Sequence, residues 1–391
     1  MQYNIEDFIV HKLKTIIEFN ENTPIPLHEP LLGKLEKKYL LKCLDSKFIS
    51  SVGKYVNQFE EQLKNYTGSK YVVAVMNGTV ALQVSIKLVG VKPNDEVLLS
   101  PITFVATANA ISHCGATPHF VDVNEKNLGL DPYILDDYLK EISITKNKLT
   151  FNRFTGNMIS AIIPTHVFGH SAEIDKLCEV SKKYNIPLIE DAAEALGSFY
   201  KKKHLGTYGE LGILSFNGNK IISTGGGGAI LTKNRKLAER ARSLTTTSKI
   251  NHKWDYFHKE VAWNYRMPNI NAAIGCAQLD KLELILNKKR ELSEKYNKAF
   301  DDLNSIYMFQ EPKNAKSNFW LNALVLQKND FKLRNKILSK THNNGFMCRP
   351  VWILLNKLPM YTKCPKSNLK TSKNLEGRII CLPSSPNIKL I

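Results

Sequence analysis

Tyr71-Val72-Val73-Ala74-Val75-Met76-Asn77-Gly78-Thr79-Val80-Ala81-Leu82-Gln83-Val84-Ser85-Ile86-Lys87-Leu88 joins an unbroken apolar run to a helix-compatible segment through three small polar residues. Residues 71–76 predict a strand buried on both faces, and residues 80–88 predict a crossover helix. The alternation continues along the chain. Strands are expected at 96–99, 118–123, 160–164, 187–190 and 212–216, with helices at 105–113 and 173–184. This order predicts an α/β fold with a mostly parallel central sheet and helices on both faces.

Outside this region, residues 5–19 place Ile5, Phe8, Ile9, Leu13, Ile16 and Ile17 at helical spacing before the break at Thr23-Pro24-Ile25-Pro26. An amphipathic leading helix is expected there. A long charged helix is expected at 282–303, followed by mixed strands and helices. The expected organisation is an N-terminal extension over 1–25, a large domain over 26–285 and a smaller C-terminal α/β domain over 286–391. A length of 391 residues agrees with more than one core. Residues 140–158, rich in Lys, Asn and Thr, read as an inserted loop or hairpin.

The chain carries 54 Lys and Arg against 36 Asp and Glu, a formal charge of +18 that raises the question of a nucleic-acid partner. The basic residues are spread rather than clustered, and the one triplet, Lys201-Lys202-Lys203, lies near Gly206 and Gly209 as an exposed turn. No nucleic-acid partner is expected. The seven cysteines are widely spaced and form no Cys-x-x-Cys pair, so neither a zinc knuckle nor a disulfide framework is indicated. No apolar stretch is long enough to span a bilayer, and the N-terminus lacks a signal-peptide pattern. A cytoplasmic enzyme with no membrane partner is the expectation.

In α/β sheets, ligands bind beyond the carboxyl ends of strands. Asn77-Gly78-Thr79 follows the first strand and opens a helix, a suitable anion cradle; a plain helix cap is the alternative. Glu190-Asp191 ends another apolar strand. A buried carboxylate there needs a partner such as a protonated heterocyclic nitrogen, unless Asp191 merely caps a helix after the strand. Ser215-Phe216-Asn217-Gly218-Asn219-Lys220 ends a third strand and delivers a lysine suited to Schiff-base chemistry, or else a surface lysine. Gly225–Gly228 lack the following Gly-Lys-Ser/Thr of a phosphate loop and instead suit a tight turn beside a ligand. His166 and His170 have metal-pair spacing, but Pro164 and Gly169 disfavour a helix there, and no metal is expected.

An anion cradle, a strand-end carboxylate and a strand-end lysine match the phosphate, ring nitrogen and aldehyde of pyridoxal 5'-phosphate. From about Pro26 onward the chain resembles the DegT/DnrJ/EryC1/StrS family of PLP-dependent nucleotide-sugar aminotransferases. The carriers are Asn77-Gly78-Thr79, Thr103 to Thr107, Glu190 to Gly197, Ser215 to Lys220 with Gly225 to Gly228, and Asn264-Tyr265-Arg266-Met267. Leu27-His28-Glu29-Pro30, Ser50 to Lys54, Thr245 to Lys249, His252 with Trp254, and Arg349-Pro350-Val351-Trp352 are similar to its LegC-like branch.

The resemblance implies the PLP-dependent aminotransferase type I fold, with Lys220 as the lysine that carries the cofactor and Asp191 paired with its ring nitrogen. It implies that Phe104 stacks on the ring and that Gly78, Thr79 and Ser215 hold the phosphate. Asn264 would reach in from a second subunit, making a homodimer with its active site at the subunit interface. Glu194, where many members carry Gln, is a further cofactor contact. Lys249, His258 and Arg349 are candidate substrate contacts; a surface ion pair for Arg349 and ordinary packing for His258 are the alternatives. The implied reaction moves an amino group from L-glutamate to a 4-keto-6-deoxy nucleotide sugar, foremost UDP-2-acetamido-2,6-dideoxy-4-ketohexose, for bacillosamine- or legionaminic-acid-type sugars. A GDP-perosamine synthase-like enzyme, a dTDP-3-keto-sugar aminotransferase and a non-catalytic cofactor-binding regulator are the alternatives.

Overall fold

A computed structural model of the chain describes residues 4–20, 22–301 and 304–391. The chain begins with α1 (Ile5–Ile16), α2 (Lys34–Asp45) and α3 (Lys54–Thr67). The alternating region then runs β1 (Tyr71–Val75), α4 (Gly78–Leu88), β2 (Glu96–Leu99), α5 (Ala106–His113), β3 (Thr117–Phe120) and α6 (Pro132–Ile142). A hairpin of β4 (Ser143–Lys146) and β5 (Leu149–Asn152) precedes β6 (Ile159–Ile163), α7 (Ile174–Tyr184) and β7 (Ile189–Asp191). Next come β8 (Phe199–Tyr200), β9 (Lys203–His204), β10 (Leu211–Ser215), β11 (Gly228–Thr232) and α8 (Arg235–Thr245).

The large sheet has the order β1-β11-β10-β7 on one side and β6-β2-β3 on the other. Parallel bridges Ile162↔Leu188 and Thr165↔Asp191 join β6 to β7. Strand β11 runs antiparallel to both β1 and β10, whereas β10/β7, β2/β6 and β2/β3 are parallel. The mostly parallel sheet with covering helices is thus present, and β1, β2, β6, β10 and β11 are buried along nearly their full length. That burial explains why these strands read as continuous apolar runs.

Boundary differences have local causes. Strand β1 stops at Val75 because the Met76 amide donates to Tyr265 O, outside the sheet. Helix α4 starts at Gly78, two residues early, because Asn77 Oδ1 accepts the Val80 amide at 2.9 Å. The insertion over 140–158 contains the β4–β5 hairpin. The lysine triplet is the β8–β9 turn, with Lys201 and Lys202 at positive φ. Lys201 pairs with Asp175 at 2.6 Å, and Lys203 lies over the Tyr208 ring.

After an exposed ribbon of β12 (Lys249–Ile250) and β13 (Phe257–His258), α9 (Asn269–Leu279) packs on α2 and α3. Helix α10 (Leu282–Phe300) leads into β14 (Ile306–Met308), β15 (Ala315–Lys316), β16 (Asn322–Leu326), α11 (Phe331–Asn343), β17 (Arg349–Pro350), α12 (Lys370–Glu376) and β18 (Ile379–Leu382). The expected end of α10 at Leu303 lies outside the described residues. Strands β14, β16, β18 and β17 form a second, antiparallel sheet. Ile9, Leu13 and Ile16 of α1 share a core with Leu292, Tyr296, Leu324, Ile337 and Ile380, so the leading helix packs into the C-terminal layer. Among the described residues, no helix is long and apolar enough to cross a membrane.

Candidate active site

The carboxyl ends of β1, β7 and β10 open into one cavity of about 740 Å³. Gly78, Thr79, Phe104, Asp191, Glu194, Ser215, Lys220 and Arg349 all line it. Residues separated by up to 271 positions therefore meet because parallel strands present all their carboxyl ends on one edge.

The anion cradle is built from backbone. Asn77 does cap α4, its side chain on the Val80 amide and its carbonyl on the Ala81 amide. Helix geometry leaves the amides of Gly78 and Thr79 ahead of the first intrahelical bond. A Cβ on Gly78 would stand 3.0 Å from Ser215 Cβ, so glycine allows this turn to approach the end of β10. A Cβ on Gly228 would stand 2.5 Å from the Asn77 carbonyl carbon, which accounts for one glycine of the 225–228 run.

The two acids of β7 separate by strand alternation. Glu190 faces inward: it takes amides from Gly206, Tyr208 and Gly209 and contacts His166 Nε2 at 3.1 Å. Asp191 faces the cavity and is 4 % exposed. Its Oδ2 accepts the Thr107 hydroxyl at 2.6 Å, and its Oδ1 accepts the Ala193 amide at 3.2 Å. Thr165 donates to Thr103 at 3.0 Å, and Thr103 lies 3.3 Å from Thr107, so hydroxyls back the carboxylate in series. No ion-pair partner for Asp191 is present among the described residues. A buried acid bonded by neutral donors on one edge fits a cationic ring nitrogen on the other.

Lys220 follows the turn closed by its amide on Asn217 O at 3.0 Å. Its ammonium stands 3.4 Å from Glu194 Oε1 and 3.9 Å from the centre of the Trp320 ring. Trp320 Nε1 donates to Asn219 O at 2.6 Å, tying the C-terminal layer to the lysine turn. Glu194 Oε2 accepts the Phe168 amide at 2.8 Å. Burial pushes the Glu194 carboxyl up to about 7, against the pull of Lys220 and the Phe168 amide. The donor set, the glycine-dependent cradle and the unpaired buried acid together fit pyridoxal phosphate.

The remaining expected contacts divide between the cavity wall and the outside of it. Arg349 is exposed on the cavity wall and makes no ion pair among the described residues. Lys249 and His258 pair with each other across the β12–β13 ribbon, outside this chain's cavity lining. Lys249 lies over Tyr256, and His258 Nδ1 is 2.8 Å from Thr247 O. Asn264 is exposed and likewise outside that lining. His166 and His170 are engaged separately, the latter with Ser317 Oγ at 2.9 Å. Sequence reasoning assigned no role to Thr107 or Trp320. Thr107 had a signal, standing four residues after Thr103 in the Thr103–Thr107 motif, whereas Trp320 reaches the site only through tertiary packing.

The profile of the DegT/DnrJ/EryC1/StrS aminotransferase family matches residues 30–390. The chain is 34 % identical over 366 residues to a GDP-perosamine synthase of Escherichia coli O157:H7, covering 93 % of this chain and 94 % of that protein. It is 36 % identical over 264 residues to a UDP-4-amino-4,6-dideoxy-N-acetyl-beta-L-altrosamine transaminase of Campylobacter jejuni subsp. jejuni serotype O:23/36, covering 67 % and 66 %. Among solved structures, Helicobacter pylori PseC, an aminotransferase involved in the biosynthesis of pseudoaminic acid, superposes with a TM-score of 0.85 at 25 % identity, covering 94 % of this chain and 95 % of that one.

Proposed function

Because the chain belongs to the DegT/DnrJ/EryC1/StrS family and is a pyridoxal-phosphate-dependent sugar aminotransferase of fold type I, we propose that it moves the amino group of L-glutamate to C4 of a 4-keto-6-deoxy nucleotide sugar. UDP-2-acetamido-2,6-dideoxy-4-ketohexose is the foremost acceptor, as in the LegC-like branch. The observation that carries the reaction class is the meeting of Lys220, Asp191 and the Gly78–Ser215 cradle in one cavity. A GDP-linked 4-keto sugar is the second reading, favoured by the end-to-end match to a GDP-perosamine synthase.

When bound, pyridoxal phosphate supplies an aldehyde that takes up the amino group and a ring that accepts electron density from the reacting carbon. The Gly78 and Thr79 amides and the Ser215 hydroxyl would hold its phosphate, and Phe104 would cover the ring. Asp191, kept as an acceptor by Thr107, would hold the proton on the ring nitrogen. Lys220 Nζ takes a proton from the donor α-carbon in the first half-reaction and delivers one to the sugar carbon in the second. Glu194 beside it would fix the lysine's position and contact the cofactor. Arg349, exposed at the cavity mouth, would meet the pyrophosphate.

A homodimer completes this reading. Trp254, Tyr256, Phe257 and Val261 are 62–96 % exposed on and beside the β12–β13 ribbon, an apolar surface suited to a second copy. Lys249 and His258 belong to this ribbon and Asn264 follows it in the sequence; in such a dimer all three would serve the neighbouring subunit's cavity. The test is spectroscopic: the purified yellow enzyme should bleach with L-glutamate alone and recover its colour when a 4-keto nucleotide sugar is added. Recovery with simple keto acids but with no nucleotide sugar would contradict the proposal.

A further inference from the structure

The cavity is lined by one imidazole that bonds nothing. His28 is 9 % exposed and borders the cavity with Lys220, Trp320 and Arg349. Neither its Nδ1 nor its Nε2 has a hydrogen-bond partner among the described residues. Buried polar groups are rarely left so. The backbone around it is pinned to the C-terminal layer: Ser384 N donates to Leu27 O at 2.7 Å, Glu29 N to Ser385 Oγ at 2.8 Å, and Ile25 N to Gly345 O at 2.7 Å. These bonds fix the backbone that carries the ring at the cavity wall, where the imidazole is buried. Both nitrogens are covered as the ring stands; with no hydrogen bond selecting an edge, a half-turn about Cβ–Cγ, which exchanges ring nitrogens for carbons, would offer a nitrogen to a sugar in the cavity.

The charge state narrows the ligand. Burial, reinforced by the positive charges of Lys289 and Lys220, holds the His28 pKa well below its ordinary value. A neutral imidazole offers one donor and one acceptor. It is poorly suited to the carboxylates of glutamate or to a phosphate, which favour cations, and well suited to a hydroxyl. The UDP- and GDP-linked 4-keto acceptors of the two readings differ in nucleotide and at C2 but share the hydroxyl at C3, beside the ketone.

Resting on the proposed function, we propose that His28 is a specificity-determining residue that hydrogen-bonds the C3 hydroxyl of the 4-keto sugar and thereby sets the C4 ketone toward Lys220. The holoenzyme and its His28→Gln and His28→Phe variants would be assayed in two parts: bleaching by glutamate, and kcat/KM for the 4-keto nucleotide sugar and its 3-deoxy analogue. The expected result is a loss confined to the sugar half-reaction, about 10- to 100-fold in kcat/KM and carried in part by kcat. Removing the C3 hydroxyl should cost the wild type a similar factor and the His28→Phe variant nothing further. Equal losses in both half-reactions, an unchanged His28→Phe variant, or a His28→Phe variant still sensitive to the C3 hydroxyl would overturn the inference. So would a wild type indifferent to that hydroxyl, a result that needs no variant to fold. A wild type that aminates no 4-keto nucleotide sugar would overturn the proposed function itself and this inference with it, whereas the preceding outcomes leave that function standing.

Discussion

Lys220 Nζ and Glu194 Oε1 stand 3.4 Å apart in a site where Glu194 is 3 % exposed. The separation is long for a charge-assisted hydrogen bond, and desolvation of the carboxyl outweighs the attraction of the lysine, so Glu194 titrates near neutrality. A carboxyl with a raised folded-state pKa binds its proton in the folded protein over a range where the unfolded chain has lost it. Its stability cost is therefore absent below the ordinary 4.5, grows as pH rises, and is complete above about 7.

The cofactor-free Glu194→Gln variant should accordingly be more stable than wild type at pH 8, by on the order of 3 kcal/mol, with the difference shrinking as pH falls below about 7. Thermal melts of both proteins across pH 5–8 measure this. A Tm difference independent of pH would refute the titration.

Thr107→Val removes the hydroxyl that Asp191 Oδ2 accepts at 2.6 Å while keeping the side chain's shape. A hydrogen bond to a charged group contributes about 1.5–3 kcal/mol, so kcat should fall roughly 10- to 100-fold with the fold intact. Steady-state kinetics with a circular-dichroism control would check it; undiminished kcat would show that Asp191 is oriented by other groups.

Gly78→Ala places a methyl 3.0 Å from Ser215 Cβ in the cradle. Overpacking of this kind costs about 1–3 kcal/mol, here felt where the phosphate would sit. Pyridoxal phosphate should bind about 10- to 100-fold more weakly by fluorescence titration. Unaltered cofactor affinity would move the phosphate site elsewhere.

The homodimer reading makes a mixing prediction. Lys220→Ala and Asn264→Ala proteins should each be nearly inactive, yet unfolding and refolding them together should restore about one quarter of wild-type activity, because half the dimers then hold one intact site. Inactive mixtures would place Asn264 in its own subunit's site or outside catalysis.

The strand ends were legible in the sequence because each apolar run stops where small polar residues begin, as at Asn77 and Asn217. The residues alone leave Glu190 and Asp191 together and the resemblance picks Asp191; the geometry supplies the reason, since adjacent residues on a strand face opposite ways and Glu190 turns toward His166 and the Gly206–Gly209 amides. Trp320 left no local trace of a role in the site, and His28 only its place in the Leu27–Pro30 stretch. Trp320 comes within reach of Asn219 by packing of the second sheet, and His28 by backbone bonds to residues 384–385 and 345. Periodicity carries no information about contacts of that range.

Regiochemistry is the most direct test. Wild-type holoenzyme would be incubated with L-glutamate and a panel of 4-keto and 3-keto nucleotide sugars, and each product examined by NMR. The expected product is a 4-amino-4,6-dideoxy nucleotide sugar, formed foremost from UDP-2-acetamido-2,6-dideoxy-4-ketohexose. An amine at C3, or no transfer to any nucleotide sugar, would contradict it.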